Sequence, residues 1–274
     1  MRIISLSTIP PRFGLLDATL DSLLRQRPRV DAVRLYVPRR YRRFPDYDGR
    51  APAVPAGVDV VRIDDDLGPA SKVLFAVREF RGTDARILFC DDDKLFAPGW
   101  AARLFDEQAA RPDEAVALVG KSIGPVGART ALRRPQARRA RGFDADYLMR
   151  KLRQRVRTRL LGQDVPRAMR RPVAEAGYVD VLQGLGGAVV RPHFFDATAF
   201  DIPEVLWAVD DYWLSGMLAA RGVPIWLPAG MELPAPSRAD DVDSLYDAVI
   251  EGVDRDGANQ RCIAYMRERF GVWT

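Results

Sequence analysis

From Arg2 to Val119 the chain alternates short, β-branched apolar segments with stretches whose apolar residues recur at helical spacing. The first kind comprises Arg2–Leu6, Ala32–Val37, Val58–Ile63, Arg86–Cys90 and Ala115–Val119, each bounded by turn residues and each of a length suited to a buried strand. Between them, Leu16, Leu20, Leu23 and Leu24 form one helical stripe, Val73, Val77 and Phe80 a second, and Trp100, Leu104 and Gln108 a third. Pro69 and Pro98-Gly99 mark where the last two helices begin. This order predicts an α/β fold, a mostly parallel sheet with helices on both faces.

In such a sheet, ligands bind beyond the carboxyl ends of the strands. Three strand ends carry polar groups: Ser7-Thr8 with Arg12, then Asp64-Asp65-Asp66 leading to Lys72, then Asp91-Asp92-Asp93. Three carboxylates directly after an apolar strand repel one another, and a divalent cation relieves that repulsion by taking one or two of them beside phosphate oxygens and water. Side chains alternate along extended chain, so Asp91 and Asp93 are expected to point one way and Asp92 another; a solvated turn is the plainer reading. Lys72, on the first turn of a helix, is placed either to meet a phosphate or to pair with Asp65 or Asp66.

Beyond Gly120 a long stretch departs from this alternation. Between Arg129 and Arg171 fifteen Arg or Lys residues stand against three Asp, a local balance of +12; the whole chain carries +5, so the remainder carries −7. A weak helical pattern covers Tyr147–Leu161, punctuated by Pro135, Pro166 and Pro172. Three uses fit the stretch: a solvated flap, an acceptor groove or membrane-surface patch, and a nucleic-acid site. Few aromatic residues (Phe143, Tyr147) interleave with the arginines, so nucleic acid is not an expected partner. Regular structure resumes with a strand at Tyr178–Leu182, a small-residue turn Gly184-Leu185-Gly186-Gly187, a strand Ala188–Val190, a helix from Asp210 to Ala220, a strand Val223–Leu227 and a helix at about Ala258–Phe270. Asp210 and Asp211 open the first of these helices, where acidic residues are ordinary as caps. His193 is the single histidine and reads as structural, and Asn259 and Cys262 as packing or capping residues.

Ile87-Leu88-Phe89-Cys90-Asp91-Asp92-Asp93, followed by Pro98-Gly99-Trp100, resembles the DxD element of GT-A glycosyltransferases, particularly their family 2-like group. Ser5-Leu6-Ser7-Thr8-Ile9-Pro10-Pro11-Arg12 is similar to that family's first strand and turn, Leu67–Lys72 to its third loop, and Asp210-Asp211 to its catalytic carboxylate. The likeness spans residues 1–125 and 178–230. It implies a GT-A, Rossmann-like domain with an Arg-rich insertion: a nucleotide-binding half at 1–125, the insertion at 126–177, and an acceptor half with a C-terminal helix at 178–274. It further implies metal binding by Asp91 and Asp93, a base at Asp211 with Asp210 as substitute, and nucleotide contacts from Ser7, Thr8, Arg12, Asp65, Asp66, Lys72 and Asp92. The implied cofactors are Mn2+ or Mg2+ and a nucleotide-diphospho-sugar, a UDP-sugar foremost. The implied reaction is inverting transfer to a hydroxyl of a carbohydrate or glycolipid. Many such enzymes recruit a further ligand, often a histidine, nearer the C-terminus; this chain has no histidine there, so that ligand is either absent or of another type.

Alternatives are a nucleotidyltransferase on a related sheet, and a non-enzymatic basic module binding nucleic acid or anionic polymer through residues 129–171. A phosphatase of the haloacid-dehalogenase kind also places Asp-x-Asp after a strand, but on its first strand and before a small hydroxyl residue, unlike Lys94-Leu95 here. No apolar run approaches the roughly 20 residues that cross a bilayer, and the N-terminal apolar stretch is too short for a signal peptide. With Cys90 and Cys262 expected as free thiols, a cytoplasmic protein is expected, with peripheral contact at the inner membrane face through the Arg-rich segment.

Overall fold

The computed structural model describes residues 1–124, 136–140, 144–163, 167–243 and 255–274. Pro135, Phe143 and Pro166 lie outside them. The first half runs β1 (Arg2–Ser7), α1 (Asp17–Leu24), β2 (Ala32–Pro38), β3 (Val58–Ile63), α2 (Ser71–Glu79), β4 (Arg86–Phe89), β5 (Lys94–Leu95), α3 (Trp100–Ala109) and β6 (Ala115–Lys121). It continues through β7 (Arg138–Arg139), α4 (Ala145–Leu160), β8 (Val173–Glu175), β9 (Gly177–Val179) and β10 (Val181–Val190). It closes with α5 (Asp210–Ala220), β11 (Ile225–Leu227), β12 (Ala235–Pro236) and α6 (Arg255–Phe270).

Eight strands form one sheet in the order β3-β2-β1-β4-β10-β6-β11-β9. The pairs β3–β2, β2–β1, β1–β4 and β6–β11 are parallel. The long strand β10 runs antiparallel between β4 and β6, and β9 antiparallel to β11 at the edge. The pleat distributes side chains to two cores: on β4, Ile87 and Phe89 face the layer of α2, α5 and α6, while Leu88 and Cys90 face the layer of α1 and α3. Helices α1, α2 and α3 turn their predicted stripes inward. Leu16, Leu20 and Leu23, then Val73 and Val77, then Trp100, Leu104 and Gln108 are all buried. This is the α/β architecture expected from the sequence, a mostly parallel sheet with helices on both faces.

Two expectations need correction. The strand placed at Tyr178–Leu182 is two strands that break at Asp180, whose carboxylate accepts a hydrogen bond from Ile123 N (2.7 Å) and turns the chain from the sheet edge to its interior. The glycine stretch 184–187 is not a turn but the middle of β10, where the register on β6 shifts between Gln183 and Ala188. Gly187 holds a left-handed φ of 87°, and a Cβ there would lie 2.3 Å from the Trp100 ring. Trp100 Nε1 donates to Gly186 O at 2.8 Å. The small residues therefore let α3 close on a bulged strand.

Cys90 and Cys262 are free and buried, as expected. No described helix is long and apolar enough to cross a membrane.

Overpacking a tight site costs about 1–3 kcal/mol, and a left-handed φ adds about 1 kcal/mol for a residue with a Cβ. Gly187→Ala is thus expected to lower the unfolding free energy by about 2–4 kcal/mol in urea titration; an unchanged midpoint would contradict the packing described.

Candidate active site

The three polar strand ends and the start of α5 meet around one cavity of about 1020 Å³. Every residue expected at the site lines it except Asp65, which is exposed and pairs at 3.7 Å with Arg78. The strand β3 turns its last carboxylates in different directions, and only Asp66 reaches the cavity. Asp66 is held by the backbone N–H groups of Arg42 (2.8 Å) and Gly68 (2.9 Å).

The Asp triplet does not follow the alternation of a strand, because β4 ends at Phe89 and residues 92–93 form a turn. All three side chains consequently face the cavity, correcting the expectation that Asp92 looks elsewhere. Asp92 is buried and accepts from Thr8 Oγ1 (2.5 Å) and Arg12 Nη1 (2.6 Å). Arg12, itself buried, also reaches Asp93 at 3.2 Å and donates through Nε to Val242 O at 2.8 Å. Burial raises the Asp92 carboxyl above its ordinary range, against the pull of Arg12. Burial and the charge of Asp91 do the same to Asp93, which sits 3.1 Å from Lys94.

Lys72 pairs with neither Asp65 nor Asp66. Its ammonium, almost wholly buried, lies 2.7 Å from Asp91 and 2.9 Å from Asp210. Burial works against the charge, but Asp210 and Asp91 raise the lysine well above its usual range and keep it protonated. Its position on α2 is fixed by Ser5 Oγ of β1, which donates to Lys72 O at 2.5 Å. A Cβ at Gly184 would stand 2.9 Å from Lys72 Nζ, so β10 passes beside the ammonium only because that residue lacks a side chain.

Neither Asp210 nor Asp211 caps α5, whose N-cap residue is Val209. Both lie in the first turn, where the helix dipole favours carboxylates. Asp211 Oδ1 accepts from Gly184 N at 2.9 Å. Burial, followed by the charge of Asp210, pushes the Asp211 carboxyl up to about 7, with Lys72 pulling the other way.

Several cavity residues were not anticipated. Asp240, Asp241 and Asp243 arrive on the segment after β12, which the ribbon β5–β12 and the bond from Ser237 N to Asp93 O (2.8 Å) pin beside the triplet. Lys94 pairs with Asp240 as well as Asp93. Asp256 and Asn259 of α6 also line the cavity, so Asn259 is more than a packing residue. The run Arg238-Ala239-Asp240-Asp241-Val242-Asp243 was the available signal, a second acidic cluster far from any predicted strand. His193 is exposed, packs on Phe194 and takes no part in the cavity lining.

The resulting electrostatics are lopsided. Among the described residues, ten aspartates line the cavity against five basic side chains, Arg12, Arg43, Lys72, Lys94 and Lys121. Asp93 Oδ1 and Asp210 Oδ2 are buried against ammonium groups yet accept no aligned hydrogen bond. Among the described residues no three His, Cys, Asp or Glu side chains converge to hold an ion.

No family model and no curated protein matches the chain. Solved structures are similar to it in chain path. The crystal structure of S. aureus TarS is 11% identical over 100% of this chain and 43% of that one, with a TM-score of 0.42; the chain thus spans less than half of that protein. The crystal structure of S. aureus TarS 1-349 in complex with UDP is 10% identical, over 98% and 72%, at 0.45. A 4-diphosphocytidyl-2C-methyl-D-erythritol synthase is 14% identical, over 87% and 92%, at 0.42. These likenesses concern chain path alone.

Because Asp211 titrates near 7 when folded and near the ordinary carboxylate value when unfolded, its contribution to stability is complete below about pH 4 and is lost as pH rises through about 7. Asp211→Asn keeps an acceptor for Gly184 N–H and cannot ionise. It is expected to be more stable than the parent by about 1 kcal/mol near pH 8, allowing for solvent in the cavity, and nearly equal to it near pH 4. Urea titrations at both values check this; the same difference at both would contradict it.

Proposed function

We propose that the chain is a metal-dependent, inverting glycosyltransferase that moves a sugar from a nucleotide-diphosphate donor, a UDP-sugar foremost, to a hydroxyl of a carbohydrate or glycolipid. The observation that carries this reading is the surplus of aspartates around a cavity large enough for a nucleotide sugar. A diphosphate is repelled from such a cavity unless a cation accompanies it. In this reading Asp91 and Asp93 would be its holders, Asp93 offering a buried oxygen that accepts no aligned hydrogen bond from the protein. When bound, Mn2+ or Mg2+ would supply charge neutralisation and Lewis-acid stabilisation to the departing nucleoside diphosphate.

The chain's own side chains take the remaining roles. Ile9, Pro38, Tyr41 and Phe44 form an apolar end of the cavity beside Ser7 and Thr8, suited to a nucleobase. Arg12 and Thr8 hold Asp92 and thereby the turn that presents its two neighbours. Lys72 sets the spacing between the triplet and α5 by pairing with Asp91 and Asp210, and its charge lowers the Asp91 carboxyl against the opposing effect of burial. Asp211, held by Gly184 N–H and titrating near 7, is the general base that takes the proton of the attacking hydroxyl. Asp210 is committed to Lys72 and raises the basicity of its neighbour rather than replacing it. In this reading residues 1–125 form the nucleotide half and 178–274 the acceptor half of a single domain, and a glycolipid acceptor would bring the cavity close to a membrane surface.

The test is turnover of UDP-sugars with Mn2+ and a hydroxyl acceptor, with the released nucleotide identified. Nucleoside diphosphate is expected. Asp211→Asn is expected to lose about 10²–10⁴ in kcat, and the rising limb of the parent's pH profile, near 7, is expected to move down in Asp210→Asn. Release of pyrophosphate would mark a nucleotidyltransferase instead, and full metal-dependent turnover by Asp93→Asn would overturn the mechanism.

A further inference from the structure

Helix α4 is turned the wrong way round for a helix on a protein surface. Amphipathic helices ordinarily bury their apolar stripe and expose their polar one. On α4 the half-buried positions are polar: Tyr147, Arg150, Lys151 and Gln154, spaced three and four apart, face the rest of the chain. They are tied there. Arg150 donates to Glu232 (2.7 Å) and to Met169 O (2.9 Å), and Asp144 caps the helix by accepting from Tyr147 N (2.9 Å).

The opposite side carries Leu148, Met149, Leu152, Val156 and Leu160, and none of the helix's residues is buried. Met149, Leu152, Val156 and Leu160 follow the same three-and-four spacing and make one outward stripe. Leu152 is 56% and Leu160 77% exposed. Of the eight large apolar side chains exposed among the described residues, six fall between Leu148 and Leu161. Exposed Arg153 and Arg157 border the stripe on one edge, and exposed Arg155 and Arg159 on the other.

We propose that α4 docks the protein on an anionic lipid surface, lying in the interface plane with the Leu-Met-Val stripe among the acyl chains and the four arginines at headgroup phosphates. The charge decides the occupant. A stripe meant for a second copy of the chain would set two sets of arginines face to face, whereas anionic headgroups neutralise them. Nucleic acid would use the arginines but leave five apolar side chains in water. Long arginine stems let the guanidinium groups rise to phosphate level while the stripe sinks below it. This inference is independent of the transferase reading, because α4 contributes nothing to the cavity lining.

The experiment is co-sedimentation of the full chain with phosphatidylcholine vesicles and with vesicles in which part of that lipid is replaced by phosphatidylglycerol, at low and at physiological salt. Binding is expected only to the anionic vesicles, and raised salt is expected to weaken it without abolishing it. The double variant Leu152→Ser, Val156→Ser changes two exposed residues and is expected to keep the parent's melting temperature while losing about tenfold or more in partitioning. Replacing Arg153, Arg155, Arg157 and Arg159 by Gln is expected to abolish the preference for anionic lipid. The proposal is overturned by absence of binding to anionic vesicles, by equal partitioning of the serine variant, by a concentration-dependent dimer that this variant dissolves, or by tight RNA binding in place of lipid binding.

Discussion

Among the described residues, ten aspartates around one cavity set the terms for the rest of the molecule. Left alone they would force the strand ends apart. Five basic side chains offset part of that repulsion, and Lys72 bears the largest share, because its ammonium is nearly dry and touches a carboxylate from each half of the chain. Removing one partner from such a buried group leaves its counterpart uncompensated, at a cost of about 3–5 kcal/mol. The link between Asp91 after β4 and Asp210 on α5 is thus where the two halves are joined electrostatically. What these cations do not neutralise remains as an attraction for a cation from solution, on which the proposed binding of an anionic diphosphate rests.

The fold brings these groups together by simple means. Parallel strands deliver Thr8, Asp66 and the Asp triplet to the same side of the sheet. The antiparallel β10, inserted between β4 and β6, carries Gly184 past Lys72 and supplies the N–H that holds Asp211. The short ribbon β5–β12 then fixes a third acidic segment against the triplet. Asp211 owes its basicity to this crowding, since burial and a neighbouring aspartate both disfavour its charge.

Much of this was legible in the sequence because it is written in local periods. The strands up to Val119, the inward stripes of α1, α2 and α3, and the placing of acidic residues after strands all follow from spacing alone. The misreadings share a cause. The stretch Gly184-Leu185-Gly186-Gly187 looks like a turn, since close approach and chain reversal both call for glycine, and only the neighbouring Lys72 and Trp100 separate the two. Asp92 was misdirected by assuming that the strand continued past Phe89. Asp240, Asp256 and Asn259 were missed because they reach the cavity of the triplet from well over a hundred residues away in the chain, which no local pattern records. In α4 the helix was visible but its orientation was not, since periodicity says which residues share a face and not which face meets the protein.

The most direct measurement of the central claim is the binding of nucleoside diphosphates to the purified chain by titration calorimetry, in manganese and in excess chelator. UDP is expected to bind with manganese and to show no measurable heat in chelator, and Asp91→Asn with Asp93→Asn is expected to remove the metal-dependent signal while the protein stays folded. Equal affinity in chelator and in manganese would contradict the account, because the acidic cavity would then hold a diphosphate without a cation.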